Sequence, residues 1–221
     1  MKKIKVFTAF ILTAVLVISL TACGSNSSSS SEAKKTYDVT DPFNSRTDET
    51  LMPETLVPET GIGNKTLVAY FSATGNTKSV AEKIASIIGA DLYEITPAEP
   101  YSDDDLNYND ENSRASKEQK DKNVRPEIAG EELNISDYAI IYLGYPIWFG
   151  QAPRIMNTFV ESHSFENRII FPFCTSASSG IGESANDLKS SAKTGNWMDG
   201  MRFSSDATEE QIQSWINGSN L

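Results

Sequence analysis

The residues best suited to binding a ligand form one short, hydroxyl-rich loop. Ser72, Thr74 and Thr77 can each donate a hydrogen bond, and Gly75 lets the backbone approach a ligand closely. Such a set of neutral donors suits an anion such as a phosphate group. The predicted binding residues of this loop are Ser72, Ala73, Thr74, Gly75, Asn76 and Thr77.

This loop joins a predicted strand to a predicted helix. The apolar run 66–71 is typical of a parallel strand buried on both faces, and apolar residues then recur at helical spacing from Val80 until Gly89, which ends the helix. The helix therefore directs unpaired N–H groups and its positive dipole end at the loop. The loop has no basic residue before Lys78 and neither a GxxxxGK nor a GxGxxG pattern, so it predicts a site for a single phosphate, as in a mononucleotide.

Two further loops follow predicted strands and carry residues suited to a flat ligand. The first reads Gly-Tyr-Pro-Ile-Trp-Phe-Gly at 144–150, and the second reads Cys-Thr-Ser-Ala-Ser-Ser-Gly at 174–180. Together with the loop at 72–77, they resemble the phosphate loop and the two ring-binding loops of the flavodoxin family. The resemblance extends over about residues 64–217 and implies FMN as the cofactor.

The resemblance assigns the flavin ring to the two later loops. Trp148 is the predicted stacking residue, with Tyr145 and Phe149 behind it, and either of these two could instead pack beneath the loop. The loop at 174–180 offers backbone amides to the pyrimidine edge of the ring. The predicted ring-binding residues are Tyr145, Pro146, Ile147, Trp148, Phe149, Gly150, Thr175, Ser176, Ala177, Ser178 and Gly180.

Strand and helix patterns alternate along the domain, which predicts an α/β fold. After the first strand, short strands are expected at 91–96, 138–144, 168–173 and 200–203, and a loose polar helix at about 104–120. A capping box, formed by a threonine and a glutamine three residues apart, begins the last helix. The resemblance implies a flavodoxin-like, doubly wound, five-stranded parallel sheet with strand order 2-1-3-4-5 and helices on both faces. Ligands would bind where the first and third strands diverge.

The amino-terminal segment has the pattern of a bacterial lipoprotein. Residues 1–22 combine three lysines with a short apolar run, as in a secretory signal, and Cys23 follows Leu-Thr-Ala as in a lipobox. An ordinary signal peptide or a membrane anchor is the alternative. We expect Cys23 to be lipidated, residues 23–63 to form a disordered Ser/Pro-rich tether, and residues 64–221 to form the FMN-binding domain. Part of the tether could instead pack on the domain as an extra arm.

The charge balance restricts the classes of partner. The chain has 19 basic and 30 acidic residues, and removal of residues 1–22 takes three lysines away, which changes the net charge from −11 to −14. Nucleic-acid binding needs a basic surface, so this balance argues against it. It favours redox partner proteins that are basic or membrane-associated, although acidity that only maintains solubility would look the same.

Few residues are available for metal or covalent chemistry. Cys174 has no cysteine partner once Cys23 carries lipid, and its sequence neighbours favour a small buried side chain over a reactive thiol. His163 is the sole histidine and is expected to lie exposed at a helix end. The sequence therefore predicts no metal site and no catalytic side chain.

The resemblance implies an FMN-binding electron-transfer protein, and the amino-terminal pattern predicts that it is a lipoprotein on the outer side of the cytoplasmic membrane. The second ring loop has no aromatic residue, whereas flavodoxins that carry electrons in the cytoplasm usually stack a tyrosine there. One ring face would then be open, so an FMN-dependent reductase of a quinone, an azo compound or another small molecule is an alternative. A further alternative is a flavin-free domain of the same fold that binds another ligand or a protein.

Overall fold

The computed structural model describes residues 63–219, so the signal segment, Cys23 and the tether lie outside the described residues. The strands, in chain order, are β1 Lys65–Tyr70, β2 Asp91–Glu94, β3 Thr96–Pro97, β4 Ile128–Ala129, β5 Tyr138–Pro146, β6 Ile169–Thr175, β7 Asn196–Trp197 and β8 Met201–Phe203. The helices are α1 Asn76–Ile88, α2 Arg114–Lys120, α3 Arg154–Ser162, α4 Ser184–Ala192 and α5 Glu209–Gly218. Strands and helices thus alternate in outline as the sequence predicts, although β3 follows β2, and β8 follows β7, without a helix between them.

A parallel sheet of six strands lies at the centre, in the order β2-β1-β5-β6-β7, with β8 also paired to β6. This confirms the flavodoxin-like order, with the fifth position divided between β7 and β8. The division lies between Ile170, which pairs with Trp197, and Phe173, which pairs with Met201. Pro172 occupies β6 at this level and has no N–H group to donate to a neighbouring strand. The short strands β3 and β4 pair antiparallel in a separate sheet.

Helices cover both faces of the central sheet, and each face has its own apolar core. On one face, α3 and α4 pack through residues such as Phe159 and Leu188. On the other, α1 and α5 pack through residues such as Ile84 and Trp215. Alternate residues of β1 and β5 enter opposite cores, which explains why both strands read as continuous apolar runs.

The helix ends follow their sequence signals. Gly89 ends α1 in the left-handed conformation, and the capping box of Thr208 and Gln211 begins α5, both as expected. His163 ends α3 as expected, but it is half-buried rather than exposed, because its ring packs 4.6 Å from that of Phe159. Among the helices of residues 63–219, none has the length and apolar character needed to span a membrane.

The segment before α2 differs from the expectation. The polar helix predicted at about 104–120 forms only in its last part, as α2, and residues 103–112 form consecutive turns. Side chains stabilise these turns; for example, the Asp105 carboxylate accepts hydrogen bonds from the N–H and hydroxyl of Ser102 at 2.9 and 2.7 Å. Asp, Asn and Ser side chains that bond nearby backbone compete with helix formation, so the predicted helix was too long.

Candidate functional site

The three predicted binding loops meet at the carboxyl end of the parallel sheet. The first loop (72–77) follows β1, and the second loop (144–150) and third loop (174–180) begin with the last residues of β5 and β6; these three strands are adjacent in the sheet. The N–H of Ile147 donates to the carbonyl oxygen of Thr175 at 3.0 Å, which joins the second loop to the third. The hydroxyls of Thr77 and Thr175 form a buried hydrogen bond of 2.8 Å, which joins the first loop to the third. The loops therefore form one connected structure.

These loops enclose a cleft of about 240 Å³, called here the loop cleft. None of the described residues that line it carries a charge. Ser205, which follows β8, is the one lining residue that the sequence analysis did not name. The lining residues are Ser72, Ala73, Thr74, Asn76, Thr77, Pro146, Ile147, Trp148, Thr175, Ser176, Ala177 and Ser205.

The first loop offers the cleft a set of unused hydrogen-bond donors. Gly75 precedes α1 with φ 85°, a left-handed conformation that favours glycine, and provides no side-chain cap for the first turn of the helix. The hydroxyl oxygen of Ser72 is buried and has no hydrogen-bond partner among the described residues. Leaving such a group unpaired costs about 1–3 kcal/mol, so its presence beside an open helix end indicates a polar ligand. An anion fits both features.

Trp148 is the main aromatic side chain of the cleft, and other aromatic rings hold it in place. Its ring lies 5.1 Å from that of Tyr101 and 5.5 Å from that of Phe71, both in near-perpendicular contacts. Tyr101 is itself held by a 2.5 Å hydrogen bond from its hydroxyl to Glu118. Burial, and then this bond, raise the pKa of Tyr101, which stays neutral. The indole is thus oriented before any ligand arrives.

The backbone presents Trp148 on a strained turn. Trp148 and Gln151 exchange N–H to carbonyl hydrogen bonds of 2.9 and 3.0 Å. Between them, Phe149 and Gly150 both have positive φ, 51° and 76°, as in the tight turns of β-hairpins. A left-handed conformation costs a residue such as phenylalanine roughly 1–2 kcal/mol. Strain of this kind is concentrated at binding sites, and Phe149 is 52% exposed beside the cleft.

Two buried polar side chains connect this turn to α2. The amide of Gln119 donates to the carbonyl oxygens of Ala152 at 3.1 Å and Trp148 at 3.4 Å. The guanidinium of Arg154 donates to the carbonyl oxygens of Gln119 at 2.8 Å and Glu118 at 3.3 Å, at the carboxyl end of α2. Burial lowers the pKa of Arg154 from its ordinary value. The sequence analysis missed both residues, because each acts on backbone about 30 or more positions away.

Arg202 holds the third loop. Its Nη2 donates to the carbonyl oxygens of Ser176 at 2.5 Å and Ala177 at 2.6 Å, and its Nε donates to the Ser176 hydroxyl at 3.3 Å. The guanidinium thus fixes the backbone of Ser176 and Ala177, which both line the loop cleft. The sequence analysis also missed this residue. Its location in the predicted fifth strand, beside the end of the fourth, was the one available signal.

Two residues that flank the cleft lie in the core. The Tyr145 side chain is fully buried, and its hydroxyl hydrogen bonds to that of Ser184 at 3.1 Å. Its ring therefore packs beneath the loop, the alternative considered from the sequence, and is not available for stacking. Burial raises the pKa of Tyr145 and raises that of the Cys174 thiol to about 12, which matches the predicted inert cysteine.

The other predicted residues have indirect or untested positions. Gly75 and Gly150 form the turns described above, and Phe149 lines a neighbouring cavity rather than the loop cleft. Ser178 and Gly180 are exposed beyond Ala177. Contact of these residues with a ligand stays a prediction. In residues 63–219, no group of His, Cys, Asp and Glu side chains is arranged to hold a metal ion.

Comparisons with known proteins place this geometry in a family. The family model described as Flavodoxin matches residues 65–219. A crystal structure of a protein from Bacteroides eggerthii, named as a candidate flavoprotein, is 43% identical, with 72% of this chain and 99% of that chain covered and a TM-score of 0.67. A second candidate flavoprotein, from Bacteroides uniformis, is 41% identical, with 70% and 99% covered and a TM-score of 0.67.

A more distant structure shares the fold. It is a flavoprotein from Lactobacillus acidophilus that was crystallised in complex with FMN. It is 24% identical, with 70% of this chain and 99% of that chain covered and a TM-score of 0.54. No curated protein matches the chain.

Proposed function

The chain belongs to the flavodoxin family, and from this premise we propose that it binds FMN in the loop cleft and transfers electrons outside the cytoplasmic membrane. The proposal has three parts, which are the cofactor, the electron transfer and the lipid anchor. The first rests on the geometry of the cleft, and the other two rest on the family and on the amino-terminal sequence. Each can be tested separately.

The observation that carries the proposal is the buried hydroxyl of Ser72, which has no hydrogen-bond partner within residues 63–219 and lies beside the end of α1 that has no side-chain cap. These groups fit the phosphate of FMN, whose charge the helix dipole and neutral donors would stabilise without a cation. The Trp148 side chain lies in the same cleft and offers a flat apolar surface to the ring. The relative crystallised with FMN has the same fold, which supports the same cofactor here.

Each loop has a separate task in this assignment. Residues 72–77 bind the phosphate, and Trp148 supports the ring. The third loop, whose carbonyl groups Arg202 holds, meets the polar edge of the ring with backbone N–H groups beyond that of Ser176, which donates to Phe203. FMN supplies one- and two-electron redox chemistry when it is bound. The side chains that line the cleft in residues 63–219 are uncharged and offer no acid or base, so the protein supplies orientation and exclusion of water.

The decisive test is the cofactor content of the purified chain. We expect flavin absorption bands as purified or after addition of FMN, with one FMN per chain and a released mass equal to that of FMN. Absence of the bands, together with no binding at micromolar FMN, would contradict the proposal and favour a flavin-free binding domain. If FMN is bound, a lack of steady turnover with nicotinamide donors supports an electron carrier, and turnover supports a reductase.

The location is a separate proposal that rests on Cys23. We propose that Cys23 carries lipid and tethers the domain to the outer face of the cytoplasmic membrane, where basic or membrane-associated proteins are its redox partners. Cells that express the chain and are fed labelled palmitate should incorporate label into the wild type and not into the Cys23→Ser variant. A wild-type chain without label would contradict the anchor and leave the FMN proposal unaffected.

A further inference from the structure

A second cavity lies next to the loop cleft and has different chemistry. Its volume is about 400 Å³, and aromatic and aliphatic side chains form most of its wall. It shares Thr74, Ile147 and Trp148 with the loop cleft but includes no residue of the third loop. The two cavities are therefore neighbours that share part of their wall, including Trp148. We call the second one the aromatic cavity.

Two large side chains are exposed at this cavity although exposure is unfavourable for them. Tyr108 is 74% exposed and Phe149 is 52% exposed, and both line the cavity. The backbone of Phe149 is held in a strained left-handed conformation by the exchanged hydrogen bonds of the turn. Exposed aromatic surface combined with backbone strain indicates a binding surface rather than packing.

The outer wall of the cavity is preformed. It includes Leu106 and Tyr108 from the turns that precede α2, and these turns have their own hydrogen bonds. The N–H of Leu106 donates to the carbonyl oxygen of Ser102, and the N–H of Ala115 donates to that of Asp105 at 3.0 Å. A small ligand would therefore meet a formed pocket, which lowers the entropic cost of binding.

The charges around the outer wall restrict the ligand. Residues 101–113 contain five carboxylates and no basic residue. Arg114, the next residue in the chain, is already paired with Glu118 at 2.7 Å and lies over the Tyr101 ring at 4.1 Å. Of the five carboxylates, Glu111 is paired with Lys120 at 3.3 Å, and the other four have no ion-pair partner among the described residues, so an anionic ligand would meet their negative charge and a neutral one would not.

We propose that the aromatic cavity binds a neutral, flat, quinone-type electron acceptor next to the flavin. The proposal rests on FMN binding in the loop cleft. If FMN is bound here and has been reduced by electrons from the proposed redox partner proteins and protons from water, the quinone would gain two electrons and two protons and become a hydroquinone, while the fully reduced, neutral flavin would return to its oxidised form. The volume of the cavity accommodates two or three fused rings, and the rings of Tyr108, Trp148 and Phe149 provide surfaces for stacking.

The test measures binding to the oxidised, FMN-loaded chain, so that no turnover interferes. The probes are the neutral 2-(hydroxymethyl)-9,10-anthraquinone and the anionic 9,10-anthraquinone-2-sulfonate, which share one ring system and differ in charge. Isothermal titration calorimetry should show one site for the neutral probe and at least about tenfold weaker binding of the sulfonate, as expected for one unit of charge facing several carboxylates.

The matched variants are Tyr108→Ala and Leu92→Ala, each of which removes an exposed apolar side chain. Leu92 is on β2 and does not line the aromatic cavity, so its variant should bind the neutral probe like the wild type. Tyr108→Ala should bind the probe about tenfold more weakly, on the scale of one aromatic contact, while its FMN affinity stays unchanged.

Three results would overturn the proposal while leaving FMN binding intact. They are no binding of the neutral probe, equal binding of both probes, and unchanged probe affinity in Tyr108→Ala. An equal loss of FMN and probe affinity in Tyr108→Ala would also overturn it, because the cavity would then belong to the flavin site. Failure of the chain to bind FMN is a different result, and it would remove the proposed function itself.

Discussion

Trp148 is the residue on which the proposed binding of the flavin ring would most depend. Phe71 and Tyr101 fix the orientation of its indole, so a bound ring would gain a stacking surface that needs no rearrangement. We predict that Trp148→Ala weakens FMN binding by about 1–3 kcal/mol, the range expected for loss of a stacked aromatic side chain and its buried area. Titration of FMN fluorescence measures this change. Trp148→Phe retains a ring and should recover most of the affinity, and unchanged affinity in Trp148→Ala would remove the residue from the site.

Arg202 positions backbone that would face the ring. Replacement by methionine leaves the carbonyl oxygens of Ser176 and Ala177 without their donor, so the third loop should lose its fixed conformation. We predict that Arg202→Met weakens FMN binding by about 1–2 kcal/mol, on the scale of a lost charged hydrogen bond. Arg202→Lys, which retains the charge and fewer donors, should lie between this variant and the wild type.

The control for this prediction is Arg125→Met. Arg125 also makes charged hydrogen bonds, with Glu161 at 2.7 Å, but it does not line the loop cleft. Its loss should leave FMN affinity unchanged. If Arg202→Met binds FMN like Arg125→Met, the third loop holds its conformation without the arginine.

The difference between these residues and the phosphate loop shows what a sequence can reveal. The residues from Ser72 to Thr77 act through their order in one short segment, so the pattern was visible and the cleft contains most of them. Arg202 and Gln119 act through contacts with backbone 25 to 33 positions away, which no local pattern records. Tyr145 was ambiguous because a strand end alternates between core and surface, and the structure places its ring in the core.

At the scale of elements, β5 depends on the absence of a side chain at Gly144. A Cβ atom there would lie 2.2 Å from Cζ of Phe173 on β6, and both residues are buried. We predict that Gly144→Ala lowers the free energy of unfolding by about 1–3 kcal/mol, as in other overpacked cores. Urea unfolding followed by circular dichroism measures the change.

Gly218→Ala is the matched control. Gly218 is the last residue of α5, and a Cβ atom there meets no other atom within 4 Å. Alanine favours helix more than glycine does, so this variant should be as stable as the wild type or slightly more stable. Equal unfolding midpoints for the two variants would show that the Phe173 ring moves aside at little cost.

The elements were predictable where their hydrophobic period was strong. The central strands, α1 and α5 agree with the expectation because each buries a regular apolar pattern. Residues 103–112 were predicted wrongly because their conformation depends on side-chain bonds to nearby backbone, such as that of Asp105 with Ser102. These turns form the outer wall of the aromatic cavity, so the least predictable segment is also the one that the proposed acceptor would contact.

For the whole molecule, the strand order could be predicted from the alternation of strands and helices together with the resemblance. The presence of two adjoining cavities could not be predicted from the sequence. The loops after β1, β5 and β6 are far apart in the chain, and only the fold brings them to one edge of the sheet. The aromatic cavity further requires the turns before α2 to pack beside Trp148. The order of the strands therefore determines where the loop cleft lies, whereas the aromatic cavity depends on the irregular backbone of the turns before α2.

The net charge of the molecule predicts how the rate of electron transfer depends on salt. With residues 1–22 removed the chain carries a net charge of −14, so its field should attract cationic partners and repel anionic ones. We predict that FMN-loaded, reduced protein transfers electrons to hexaammineruthenium(III) at a rate that falls by about tenfold as the salt concentration rises from 0.01 to 0.5 M, since the Debye length shortens from about 30 Å to only a few Å over that range. Ferricyanide, which has the opposite charge, should show a rate that rises with salt. Stopped-flow absorbance of the flavin measures both rates.

The sign of each slope of rate against salt concentration decides whether the acidic surface attracts cationic acceptors and repels anionic ones. The driving forces of the two acceptors differ, but they do not set this sign. Flat slopes for both would mean that the acidic surface serves solubility and does not select basic redox partners.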